Sequence, residues 1–95
     1  MSLAGPLINS NKVVIFSWVH CPYCKKAKEL LGSLTKERSI YDVDQMPNGK
    51  AIHQEIIDAT GHDTVPAIYI KGKLIGGFSD TDALYKRGEL TKMLS

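Results

Sequence analysis

Hydrophobic and polar positions change their spacing several times along the chain, and each change marks an element. Residues 12–18 contain the unbroken run Val13-Val14-Ile15-Phe16. A continuous β-branched and aromatic run predicts a strand buried on both faces. Ala27, Leu30, Leu31 and Leu34 then recur at offsets 0, 3, 4 and 7, the stripe of one helix. Pro22 suits the first helical position, where a missing N–H costs nothing. Gly32 interrupts the stripe and leaves the end of this helix open. Residues 39–44 set Ile40 and Val43 among polar neighbours and predict a second strand. Met46-Pro47-Asn48-Gly49 predicts a turn. Ile52, Ile56 and Ala59 mark a second long helix, which Gly61 is placed to stop.

Residues 67–71 and 73–75 predict two further strands, joined across Lys71-Gly72-Lys73 with glycine at the centre. Gly76-Gly77 ends the sheet. Ser79 is the expected N-cap of the next helix, with Asp82 three residues on as an acidic capping-box variant. That helix is expected from about 80 to 87, where Gly88 stops or kinks it. Leu90, Met93 and Leu94 add a final amphipathic turn, and residues 3–9 predict a short helix at the start. The order strand–helix–strand–helix–strand–strand–helix is α/β. Its first half is a βαβ unit with parallel strands, and the tight turn adds the last strand antiparallel. The expected fold is a four-stranded mixed sheet with helices on both faces, in one domain over residues 1–95.

Composition narrows the function. At 43% hydrophobic and 23% charged, the chain is ordinary for a globular protein. A net charge of +2, without a stripe mixing basic and aromatic residues, excludes nucleic acid as the expected partner. No apolar run approaches the ~20 residues of a membrane span. The first ten residues lack Lys and Arg and do not read as a secretory signal or transit peptide. The expected compartment is the cytoplasm, with a trimmed organellar targeting segment as the open alternative.

Cys21 and Cys24 are the only cysteines, and they fall where a buried strand hands over to a helix. The first N–H groups of a helix lack intrahelical partners and, with the helix dipole, favour an anion. A thiolate there is stabilised, and such cysteines titrate at ~3.5–7.5 rather than ~8.5. Lys25 and Lys26 stand close enough to add to the effect. The thiolate is the nucleophile of disulfide exchange. Cys21, before Pro22, is expected exposed and attacking; Cys24, inside the first turn, is expected shielded and resolving. Pro22 has no N–H to donate, which predicts a less acidic, more reducing pair. A structural disulfide over a four-residue loop would restrain the unfolded chain little. Zinc needs four ligands, and only His20, His53 and His62 remain beside the two cysteines. His20 reads as a solvent-facing loop residue.

Three separated features resemble the dithiol glutaredoxins, and the likeness covers nearly the whole chain. They are Cys21-Pro22-Tyr23-Cys24, Thr64-Val65-Pro66, and Gly76-Gly77 followed by Ser79 and Asp80. The resemblance implies a thioredoxin-like fold and a cis peptide before Pro66, with the backbone of Val65 open to pair with the tripeptide glutathione. It also implies a groove flanked by Tyr23, Thr64 and Gly77. The last helix start, with Ser79 and Asp80, would hold the γ-glutamyl end. Thr64 also suits a loop-supporting role and Asp80 a helix-start role, so both alternatives stay open. The chain departs from the family where relatives carry a lysine (here Trp18), an arginine or lysine (here Asp63) and a glutamine (here His53, beside Gln54). Those family residues face the glycine carboxylate of glutathione. Either Lys12, Lys50 or His53 compensates, or the preferred substrate carries positive charge there, as a glutathione amidated to a polyamine would.

The resemblance therefore implies a glutathione-dependent oxidoreductase serving redox homeostasis and electron transport. It would act as a monomer on glutathione-type thiols and on disulfide-bonded or glutathionylated proteins. No resident cofactor or metal is expected, and glutathione enters as co-substrate. Some family members instead hold a [2Fe–2S] cluster between two subunits, through the first cysteine of each and two glutathiones. That is the alternative reading, which Pro22 disfavours by crowding the cluster position.

Overall fold

Strand β1 (Val13–Ser17) is buried at all five positions, as its unbroken apolar run requires. The computed structural model describes residues 2–95. Around β1 stand helix α1 (Ala4–Ile8), helix α2 (Pro22–Leu34), strand β2 (Arg38–Asp42), helix α3 (Gly49–Thr60), strands β3 (Ala67–Ile70) and β4 (Lys73–Gly76), and helices α4 (Phe78–Lys86) and α5 (Glu89–Leu94). The sheet order is β2-β1-β3-β4. β2 runs parallel to β1, whereas β3 is antiparallel to β1 and β4 antiparallel to β3. This is the expected mixed sheet of a thioredoxin-like fold.

Alternation along β1 divides the core in two. Val14 and Phe16 face a cluster under α1 and α3 that includes Ile52, Ile56 and Tyr69. Val13 and Ile15 face a second cluster under α2, α4 and α5 that includes Ala27, Leu31, Ile68 and Leu90. Full burial of each large apolar side chain contributes about 1.5–3 kcal/mol, so both layers hold the sheet. Glu55 on α3 ties down α1: its carboxylate accepts from the backbone N–H of Ala4 and Leu3 and from the Ser2 hydroxyl at 2.7–3.0 Å. Those bonds, the Ala4 N–H first, hold the Glu55 carboxyl below its ordinary range.

Several local expectations are corrected. α2 runs through Gly32 to Leu34, and the Arg38 guanidinium lies 3.4 Å from where a Gly32 Cβ would stand. β2 ends at Asp42, and Ile40 is exposed because β2 is an edge strand. Val43, just beyond it, is buried. Ala59 also faces out, so Ile52 and Ile56 carry the α3 stripe. Ile70 pairs with Lys73, leaving a two-residue turn of Lys71 (φ 52°) and Gly72 (φ 83°). Positive φ at both centres matches the twist of a hairpin, which is why glycine sits there.

The cap of α4 is two residues earlier than Ser79. Gly77 is the N-cap, and its N–H donates to Asp80 Oδ2 at 3.2 Å. Asp80, not Asp82, thus closes the box, and Asp82 pairs with Lys86 at 3.0 Å. Gly76 has φ 132°, and a Cβ there would overlap the Asp80 carboxylate, so this junction demands glycine.

Candidate active site

Cys21 is itself the N-cap of α2. Its backbone is extended (φ −103°, ψ 120°), Pro22 occupies the first helical position, and the Cys24 N–H donates to Cys21 Sγ at 3.3 Å. Sulfur stands where a capping Ser or Asp oxygen ordinarily stands. Any negative charge on it faces the positive end of a 13-residue helix. Cys21 is half-buried, Cys24 is fully buried, and the two are not bonded to each other. Burial and the hydrogen bond to Cys21 push the Cys24 thiol up to about 12, against a smaller lowering by the Trp18 N–H and the Lys28 charge. Cys24 is therefore a neutral thiol at rest. Lys26, expected near the sulfur, stands 5.3 Å over the Tyr23 ring.

The antiparallel pairing of β1 with β3 carries the second wall of the site. Phe16 is opposite Ala67, so the residues just before β3 arrive beside the loop just after β1. The Val65–Pro66 peptide is cis, and the Val65 carbonyl lies 4.0 Å from Cys21 Sγ. Two grooves meet here. One, about 390 Å³, runs between Tyr23, Thr64, Val65 and Pro66 to Gly77, Ser79 and Asp80. The other, about 420 Å³, passes Cys21 and Val65 to Asp63 and Trp18. Tyr23 is 58% exposed and Trp18 45%, so each presents an apolar face to a groove.

His20 lines the second groove from an exposed position. Past Trp18 a third cavity of about 380 Å³ is lined by Asp44, Lys50 and His53. His53 Nε2 is buried there without a hydrogen-bond partner. Gln54 turns away and bonds Asp58 at 2.8 Å. Lys12 is excluded as a compensating cation. It precedes β1, at the opposite end of the strand from Cys21, and contacts Glu37 and the Leu94 carbonyl at 3.0 Å each. In sequence, His62 stands out only as a candidate zinc ligand. It packs against the presenting loop, with Nε2 3.1 Å from the Pro66 carbonyl and 3.4 Å from Thr64 Oγ1. The sequence hints at this only through the place of His62 two residues before Thr64. Among the described residues no three His, Cys, Asp or Glu side chains converge to hold a metal.

A sulfur pair at a helix start, faced by a cis-proline loop on a mixed four-stranded sheet, defines a thiol–disulfide exchange protein of thioredoxin-like fold. Comparison with known proteins resolves the family. The glutaredoxin family model matches residues 13–75. Glutaredoxin-C4 of Arabidopsis thaliana is 41% identical over 87 residues, which cover 92% of this chain and 64% of that relative. The solution structure of the dithiolic glutaredoxin 2-C-Grx1 from Trypanosoma brucei brucei superposes with TM-score 0.95 at 48% identity, covering 100% of this chain and 98% of that one. The crystal structure of a buckwheat glutaredoxin–glutathione complex superposes with TM-score 0.91 at 37% identity, covering 96% and 83%. The chain belongs to the glutaredoxin family of thiol–disulfide oxidoreductases.

Proposed function

We propose that the chain reduces glutathione mixed disulfides and protein disulfides, with Cys21 as the attacking sulfur and Cys24 as the resolving one. The observation that carries this is the unequal placement of the two sulfurs. Cys21 is open at the meeting of two grooves and receives a helix N–H, while Cys24 is sealed beneath it. The Cys21 thiolate attacks the glutathione sulfur of a mixed disulfide. An S–S bond forms to Cys21, the old S–S bond breaks, and the target leaves as a thiol after taking up a proton. A second glutathione attacks the Cys21 adduct, releases glutathione disulfide and restores Cys21. With a protein disulfide, Cys24 attacks the Cys21 mixed disulfide instead. The likeness to a glutaredoxin solved with glutathione supports this substrate. In this reading the γ-glutamyl end lies along the groove that ends at Ser79 and Asp80.

Cys24→Ser should keep turnover of glutathione mixed disulfides within a few fold and lose most reduction of protein disulfides. A coupled assay with glutathionylated and disulfide-bonded substrates measures both. If Cys24→Ser were inactive on both while Cys21→Ser stayed active, the roles would be reversed.

The second groove favours a cation at the glycine end of the substrate. Trp18 and Asp63 line it where the family places basic residues, and Lys12 is too remote to compensate. Lys50 and His53 stand beyond Trp18, in the neighbouring cavity. A polyamine amide of glutathione would meet the Trp18 face and the Asp63 carboxylate. A cation–π contact at ~0.5–1 kcal/mol and an exposed ion pair at ~0.2–1 kcal/mol together correspond to roughly three- to thirtyfold. The ratio of kcat/KM for the conjugate over plain glutathione should fall in that range and decline with added salt. A preference for plain glutathione removes this specificity and leaves the basic reaction standing.

A further inference from the structure

Behind the cysteine pair lies a charged cluster that touches neither groove. Ser17, the last residue of β1, is fully buried and donates its hydroxyl to Asp42 Oδ1 at 2.6 Å. Lys28 Nζ meets the same oxygen at 2.9 Å, with only 23% of the lysine side chain and 30% of the aspartate exposed. Three elements (β1, β2 and α2) thus converge on one ion pair. Lys28 follows Cys24 by four residues on α2, and such positions share a helix face. The backbone of Trp18, next after Ser17, lowers the Cys24 thiol, so the cluster and the buried thiol share the end of β1.

The second exchange draws on whatever favours a thiolate there. Cys24 is neutral at rest, yet it attacks as a thiolate. Its sulfur forms a bond to Cys21, the bond between Cys21 and the target sulfur breaks, and the target leaves with the electron pair. The proton that Cys24 gives up goes to solvent, and the leaving target thiolate takes one back. The target is reduced and the two cysteines are oxidised. In the mixed disulfide the Cys21 sulfur carries no charge to oppose ionisation of Cys24, and the Trp18 N–H and the positive charge of Lys28 both favour it.

We propose that the Lys28 ammonium, held in place by Asp42 and Ser17, is the charge that allows Cys24 to ionise as it resolves the mixed disulfide. Lys28 acts across the helix face, and Asp42 and Ser17 are positioning residues for it. The proposal rests on the reading of Cys24 as the resolving thiol.

The test follows closure directly. The reduced chain is mixed with excess glutathione disulfide, and acid-quenched mass spectrometry tracks conversion of the Cys21–glutathione adduct to the Cys21–Cys24 disulfide from neutral to alkaline pH. Each unit by which the Cys24 thiol rises lowers its thiolate fraction about tenfold. The less acidic thiol is a better nucleophile once ionised, with a Brønsted slope of about 0.4–0.5, which recovers about threefold. Lys28→Met should therefore close roughly three- to tenfold more slowly at neutral pH, with its rate profile displaced to higher pH. Lys28→Arg should restore both. Lys28→Gln, closer in polarity, serves if the methionine variant does not fold.

Lys28→Met in a Cys24→Ser chain measures any effect that bypasses Cys24. An equal loss in that chain's glutathione turnover overturns the proposal, as does wild-type closure with an unshifted profile. A Cys24→Ser chain that still reduced protein disulfides would overturn the resolving role of Cys24 itself, a result distinct from failure of the lysine alone.

Discussion

Cys21→Ser is expected to lower exchange on every disulfide substrate to the uncatalysed background. Its hydroxyl would still accept the Cys24 N–H and cap α2, because serine is a good N-cap. The fold and both grooves therefore remain, and only the nucleophile is lost. Removing a covalent nucleophile costs at least ~10³-fold. Cys24 cannot substitute. It is fully buried, its proton is held up to about 12, and it lines neither of the two grooves. Turnover of a glutathionylated peptide by the variant, with thermal unfolding as the control, checks this. Residual activity near wild type, with unfolding unchanged, would transfer the attacking role elsewhere.

The largest effect on stability is expected at Gly49→Ala. Gly49 opens α3 and packs against the backbone that follows β2. A Cβ there would overlap the Val43 carbonyl oxygen and stand 2.6 Å from its carbon. Both partners are backbone, so neither rotates away. Val43 is also tied by its N–H to the Ser17 carbonyl at 2.8 Å. Overpacking costs typically 1–3 kcal/mol, and this site belongs at the upper end. About 3 kcal/mol is a large share of the 5–15 kcal/mol that holds a domain of this size. The melting temperature should fall by roughly 10–25 °C, measured by calorimetry or circular dichroism. Gly61→Ala is the natural contrast: φ is 75° but the surrounding space is open, so only the conformational strain is added.

Legibility in the sequence followed where the physical signal was local. The run from Val13 to Phe16 is apolar on both faces because helices cover both, and it stands out as a continuous block. Cys21-Pro22-Tyr23-Cys24 is contiguous, and a strand followed by proline already places it at a helix start. Gly61 stops α3 with the left-handed geometry expected of it. The misplaced cap of α4 has a physical reason. Gly77 has no side chain to announce itself, and Ser79 with Asp82 has the same spacing as the true pair of Gly77 and Asp80. Ile40 could not be recognised as exposed, because periodicity does not say which strand is at the edge. Lys12 is nine residues from Cys21 in sequence, yet an extended strand carries it to the far end of the sheet. His62 meets Thr64 and Pro66 within four residues but belongs to no motif that marks it, and the cluster of Ser17, Lys28 and Asp42 is assembled only by tertiary packing.

The sheet order separates two inheritances. Both sulfurs, and the helix that receives charge from them, arise from the stretch before β2, while Thr64, Val65, Pro66 and the start of α4 arise from the stretch after α3. One antiparallel seam, with Phe16 opposite Ala67, sets how far apart they stand. The sulfurs thus belong wholly to the earlier part of the chain, whereas the grooves beside them are shared, Tyr23 and Trp18 coming from the earlier part and Asp63, Thr64 and Val65 from the later. A change at Asp63 or Thr64 can therefore reshape one wall of a groove while both sulfurs and the helix start that faces them stay as they are.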